Sequence, residues 1–157
     1  MMDNAQILLE KIQHIPVIDT HEHYAPEQYW SGEHADFFSL LSPYVCDNLC
    51  AAGMSIGEWS ALQNQTVGTA ARLEILKPYL PVVRHTRYFQ VVDRVIRNRY
   101  GLTSYTAEEL DRIRPAIQRD FSPENFEPLK QEAGIREIMT FLPFDCHMSM
   151  GGSTMHP

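Results

Sequence analysis

The chain has 157 residues, a formal net charge of −7, 44% hydrophobic and 21% charged residues, a balance typical of ordinary globular proteins. The negative charge argues against nucleic acid as a main partner, because phosphate contacts need clustered Lys and Arg. The Met1-Met2-Asp3-Asn4 start has no basic n-region and no apolar run approaches ~18 residues, so neither a signal peptide nor a membrane partner is expected, and a cytoplasmic location is.

Asp3 or Asn4 can cap a first helix to about His14, with Ile7, Leu8, Ile12 and Ile15 recurring near helical spacing. A strand over 16–20 follows, because Val17 and Ile18 are β-formers and Pro16 is tolerated at a strand's first position. The loop from Tyr24 to Glu33 is polar and aromatic, with Pro26 and Gly32 as breakers. Phe37, Phe38, Leu40, Leu41, Tyr44, Val45 and Leu49 indicate helical segments broken near Ser42-Pro43, with Gly53 as a C-terminal cap. Ser55 and Glu58 form a capping box for a short helix. Thr66 is placed to cap a helix to about Tyr79, closed by Pro81.

Thr86 opens a helix ending at Gly101, with Tyr88, Val92, Val95 and Ile96 as its apolar stripe. Thr106 and Glu109 make a second capping box, for a helix to about Arg119. Ser122-Pro123 starts a further helix to Gly134. A second strand is predicted over 135–142, followed by a loop through Met148–Ser153. Cys46, Cys50 and Cys146 are an odd count without a C-x-x-C pair, which disfavours a disulfide framework and a zinc ribbon; core packing is expected of Cys46 and Cys50.

The chemistry concentrates at the end of the first strand. Extended chain has a side-chain period of two, so Asp19, His21 and His23 fall to one side and Glu22 to the other, where a structural role is expected of it. Seven histidines generate about 0.3 H-x-H pairs by chance, so position carries the argument rather than spacing. The pair follows the carboxyl end of an apolar strand, where α/β barrels place their chemistry. Neutral imidazoles suit zinc, with manganese as the alternative, and Asp19 either orients a ligand or bonds backbone. Arg84 and His85 precede a helix N-terminus whose free N–H groups attract anions; they form either a carboxylate-binding pair for a substrate or an ordinary surface ion pair.

The run Ile18-Asp19-Thr20-His21-Glu22-His23 resembles the first-strand signature of the amidohydrolase superfamily, and more narrowly its amidohydrolase-2 and uronate-isomerase-like branch. The stretch from Arg84-His85-Thr86 to Tyr100-Gly101 is similar to that branch too. The resemblance implies an α/β fold, part of a (β/α)8 TIM-type barrel comprising its first two strands, with residues 24–134 as a mostly helical insertion. It implies that His21 and His23 bind a catalytic divalent metal, with further ligands from later strands. A full barrel needs roughly 250 residues, so the chain is expected to be the N-terminal portion and inactive alone. The implied reaction is hydrolysis of a C–N or C–O bond in a small substrate, an organic or sugar acid; the alternatives are sugar-acid isomerisation and metal-dependent decarboxylation. A reading of another class is a non-catalytic helical module whose open sheet edges invite pairing with further strands or with a second copy, as a homo-oligomer.

Overall fold

The computed structural model describes residues 3–22, 32–42, 44–140 and 155–156. Helix dominates them, beside a small parallel sheet. Residues Met1–Trp30 and Pro123–Pro157 form one unit, and Ser31–Ser122 form another. The 24–134 stretch expected as a helical insertion contributes to both units, with 123–134 grouped with the strands.

In the strand unit, α1 (Asn4–Gln13) starts where the Asp3 N–H donates to the Gln6 side-chain carbonyl at 3.2 Å. Strand β1 (Val17–Glu22) pairs in parallel with β2 (Ile135–Thr140), and β3 (Met155–His156) lies parallel on the other side of β2. β1 runs on to include His21, beyond the stretch expected as strand. The short β3 was not expected, and Phe141 and Leu142 lie outside the described residues.

The entry to β2 is a 3-10 turn (Pro123–Asn125) followed by α8 (Phe126–Glu132) rather than one helix from Ser122. Gly134 then turns the chain at φ 68, a left-handed conformation that a β-carbon would strain. Its carbonyl accepts the Val17 N–H at 2.9 Å, so the glycine that ends the helix also starts the sheet. Ile138 is buried, whereas Val17 and the successive Ile18 are 46% and 53% exposed. Parallel strands are usually covered on both faces; here both faces of β1 stand open, as do Leu8, Leu9, Ile12 and Ile15 of α1 and its C-terminal edge.

The helical unit contains α2 (Tyr44–Ala51), α3 (Ile56–Gln63), α4 (Thr69–Leu76), α5 (Leu80–Val83), α6 (Arg87–Tyr100) and α7 (Ala107–Asp120), preceded by a 3-10 turn at Ser39–Leu41. Phe37, Phe38, Leu41, Leu49, Leu62 and Ile96 belong to its buried core. The Ser55–Glu58 box is present in both directions: the Glu58 N–H donates to Ser55 Oγ at 3.2 Å and the Ser55 N–H to Glu58 Oε2 at 2.8 Å. Thr86 Oγ1 accepts the Phe89 N–H, and α6 ends at Gly101 as expected.

Two elements differ from expectation for local reasons. The Asn64 side chain accepts from both the N–H and the hydroxyl of Thr66, which holds Thr66 in a turn, and α4 begins after Gly68 instead. Pro81 does not close a helix; it sits in the first turn of α5, where its missing N–H has no partner to lose. The stripe of α6 is also rotated. Phe89 and Ile96 are buried and Val92 half-buried, whereas Tyr88 and Val95 face solvent. The Phe89 ring, 6.1 Å from that of Tyr105, claims the inward position.

Arg72 is the least expected member of the core, at 2% exposure. Its Nε donates to the Leu62 carbonyl at 2.6 Å, its NH1 to Asp36 Oδ2 at 2.6 Å and its NH2 to Asp36 Oδ1 at 3.4 Å. The guanidinium lies 4.1 Å from the centroid of the Phe38 ring. Asp36 Oδ1 also accepts the Ser39 N–H at 3.0 Å. One side chain thus ties α4 to the end of α3 and to the segment that opens the unit.

Removing Arg72 leaves Asp36 buried without its counter-charge. Arg72→Ala should lower the unfolding free energy by about 3–5 kcal/mol in urea titration, and the paired replacement Arg72→Met with Asp36→Leu by less. A loss for Arg72→Ala too small to measure would refute this role.

Thr106 Oγ1 accepts the Glu109 N–H at 3.3 Å, but the reciprocal half of the expected box is redirected. The Glu109 carboxylate instead takes Arg112 and the N–H and hydroxyl of Thr103. Arg112 first, then the Thr103 groups, hold its carboxyl down at about 2 against an ordinary 4.5. A depressed carboxyl contributes stability that is present above the unfolded value and lost as pH falls through the folded one. Between pH 4.5 and about 2 the wild-type chain should therefore lose stability more steeply than Glu109→Gln, and equal slopes in acid denaturation would refute the link.

Candidate functional site

β1 carries the first candidate set, and its register decides what the alternation of side chains can do. Val17 stands opposite Ile135 and Ile18 opposite Glu137, so β2 holds one extra residue there. Asp19 then stands opposite Ile138 and Glu22 opposite Thr140, so β1 holds one extra residue in its turn. The second irregularity falls on Thr20–His21, and strict period-two alternation does not carry across it. The argument that set Glu22 on the opposite side from Asp19 and His21 fails at this point. Bulges of this kind redirect side chains and are frequent beside active sites.

Asp19 is half-buried in β1. His21 belongs to β1 by its backbone, while its side chain and all of His23 lie outside the described residues. Among the described residues no group of three His, Cys, Asp or Glu side chains comes together to hold a metal. The donor chemistry of the H-x-H pair still suits a borderline-soft divalent ion, because neutral imidazole is the ligand type zinc favours.

Arg84 and His85 belong to the helical unit, in the link between α5 and α6. Both are exposed, and Arg84 Nε donates to His85 Nε2 at 3.1 Å. That bond requires the imidazole tautomer with its proton on Nδ1. Among the described residues Arg84 has no carboxylate partner, so the surface ion pair weighed for it does not occur there. The first turn of α6 contains no acidic residue, so the Thr86 hydroxyl caps the helix but no carboxylate in that turn offsets the positive end of its dipole.

The cysteines depart from the packing expected of them. Cys46 is half-buried and Cys50 exposed, on one face of α2, and burial followed by the Cys50 thiol pushes the Cys46 thiol up from its ordinary value. Cys46 is therefore a poor candidate for a ready thiolate. Cys146 lies outside the described residues.

The sequence reading passed over the outer face of α6. Tyr88 stacks on Tyr44 with centroids 4.9 Å apart, beside exposed Val91 and Val95. The sequence signal for this face was present, since Arg87 and Arg94 have no acidic residue three or four positions away.

No protein-family model matches the chain, and no curated protein or solved structure matches it. Among the described residues no helix is long and apolar enough to cross a membrane.

Proposed function

We propose that this chain supplies the metal-binding first strand of an amidohydrolase-type enzyme of the (β/α)8 class, hydrolysing a C–N or C–O bond in a small substrate that bears a carboxylate. The observation that carries the reading is the place of His21: near the carboxyl end of a strand in a parallel sheet, at a register irregularity. His21 and His23 are the ligands, and Asp19 on the same strand accepts an imidazole N–H to set the tautomer. A divalent metal, zinc or else manganese, supplies an acidified water and polarises the substrate carbonyl. Both imidazoles must be neutral to ligate, so binding weakens as pH falls below the ~6.5 of ordinary histidine.

In the helical unit, Arg84 is the group proposed to take a substrate carboxylate, with His85 accepting its Nε–H at 3.1 Å and so fixing the direction of the fork. The exposed guanidinium beside a helix N-terminus whose first turn holds no carboxylate favours an anion over a neutral ester or amide.

Replacing both histidines, His21→Ala with His23→Ala, should remove nearly all bound zinc or manganese in elemental analysis of the purified protein. Full retention of metal by that variant excludes the assignment. In the active assembly, Arg84→Ala should weaken acidic substrates about ten- to a hundred-fold, the effect of losing a charge-assisted contact, and leave neutral analogues little changed. Equal effects on both would remove Arg84 from the substrate site.

A further inference from the structure

In the helical unit, Arg72, Arg97, Arg99, Arg112, Arg114 and Arg119 each stand against a carboxylate. Among the described residues Arg84, Arg87 and Arg94 do not, and two of these lie on α6. At 100° per residue, Arg94, Arg87, Val91, Val95 and Tyr88 fall within about 120° of the helix circumference. That arc lies beside the buried stripe of Phe89 and Ile96 and is exposed along its length, with Val91 57% exposed. At one border the Tyr88 ring stacks on Tyr44, both about half exposed. A chain of net charge −7 thus gathers unpaired cations and apolar side chains on one helix face.

We propose that this face of α6 docks an acidic, amphipathic segment of a partner polypeptide. Its carboxylates bond Arg87 and Arg94, and its aliphatic or aromatic side chains cover Val91, Val95 and the Tyr88–Tyr44 stack. Charge complementarity selects this occupant. A second copy offering the same face would set arginines against arginines, and a bilayer or nucleic acid would bring a dense anionic surface up to a strongly acidic protein. The charges then supply orientation and on-rate, and the desolvated apolar strip resists dissociation. Arg84 is not needed for this surface, so the proposal stands apart from the substrate role given to that residue.

The test uses the full chain as bait for a random dodecapeptide library displayed on phage, followed by fluorescence anisotropy on the selected peptides made synthetically. Selected peptides should combine Asp or Glu with Leu, Ile or Phe. Their affinity should fall at least tenfold for Arg87→Gln with Arg94→Gln and, separately, for Val91→Ser with Val95→Ser. Both variants change only exposed side chains, and unchanged circular-dichroism melting curves confirm their fold. Binding should also weaken as NaCl rises from 0.05 to 0.5 M. A selection without acidic enrichment, or peptides that bind both variants as tightly as the wild type, overturns the proposal. So does binding of phosphatidylserine vesicles or a thymidine oligonucleotide that depends on Arg87 and Arg94, which would assign the face to a membrane or to nucleic acid.

Discussion

The helical unit depends on a charge that is almost wholly out of water. Arg72 and Asp36, with side chains 2% and 7% exposed, form a bidentate pair whose remaining capacity is met by the Leu62 carbonyl, the Ser39 N–H and the face of Phe38. Desolvating two ions costs several kcal/mol each, so the pair adds little net stability over an apolar filling. What it adds is direction. A leucine at position 72 could slide along its neighbours, whereas a guanidinium fork fits one arrangement of three partners. The packing of α4 against α3 and against the 36–39 turn is set by that arrangement, and the phenylalanine and leucine core fills the space it defines.

Polar ties of the same kind recur farther along the unit. Tyr105 donates to Asp93 at 2.7 Å while Arg97 holds the same carboxylate at 2.8 Å. Burial, followed by Asp93, raises the Tyr105 hydroxyl far above its ordinary value and keeps it a neutral donor. Tyr100 is likewise pushed up to about 12, by burial and then by Asp120, the residue that also receives Arg99. Acidic groups inside this unit are thus held by hydroxyls and guanidinium groups. That is why arginines left without a carboxylate stand out on α6.

How much of this was legible in the sequence depends on the range of each interaction. The Ser55–Glu58 box, the Thr86 cap and the Gly101 stop act over a few residues, and each was readable from residue type and spacing alone. The Arg72–Asp36 pair spans 36 positions, and nothing local marks that arginine as buried. The α6 stripe misled because Tyr88 and Phe89 are adjacent and both apolar; which one turns inward is set by the long-range core that receives Phe89, the Tyr105 ring included. The parallel strands were legible as apolar runs, but their two compensating register shifts were not, since a bulge belongs to the pair rather than to either strand. The histidines were legible as a spacing, and their side-chain arrangement lies outside the described residues.

The two units meet opposite physical demands. The helical unit has a continuous buried apolar core and closes most of its arginines with its own carboxylates, although Val91, Val95, Tyr88 and Tyr44 stay exposed. In the strand unit, α1 buries no residue and β1 exposes apolar side chains on both faces. Exposed apolar surface of this extent is disfavoured in water, and the faces of β1 lack the coverage that parallel sheets normally have. Covering that exposed apolar surface would stabilise the strand unit. The functional consequence concerns precision. A metal ligand must be held within a few tenths of an ångström, by side chains locked through packing and hydrogen bonds around it. For the proposed ligand His21, β1 supplies the backbone position and the register irregularity beside it, and packing against the open faces of β1 would add rigidity.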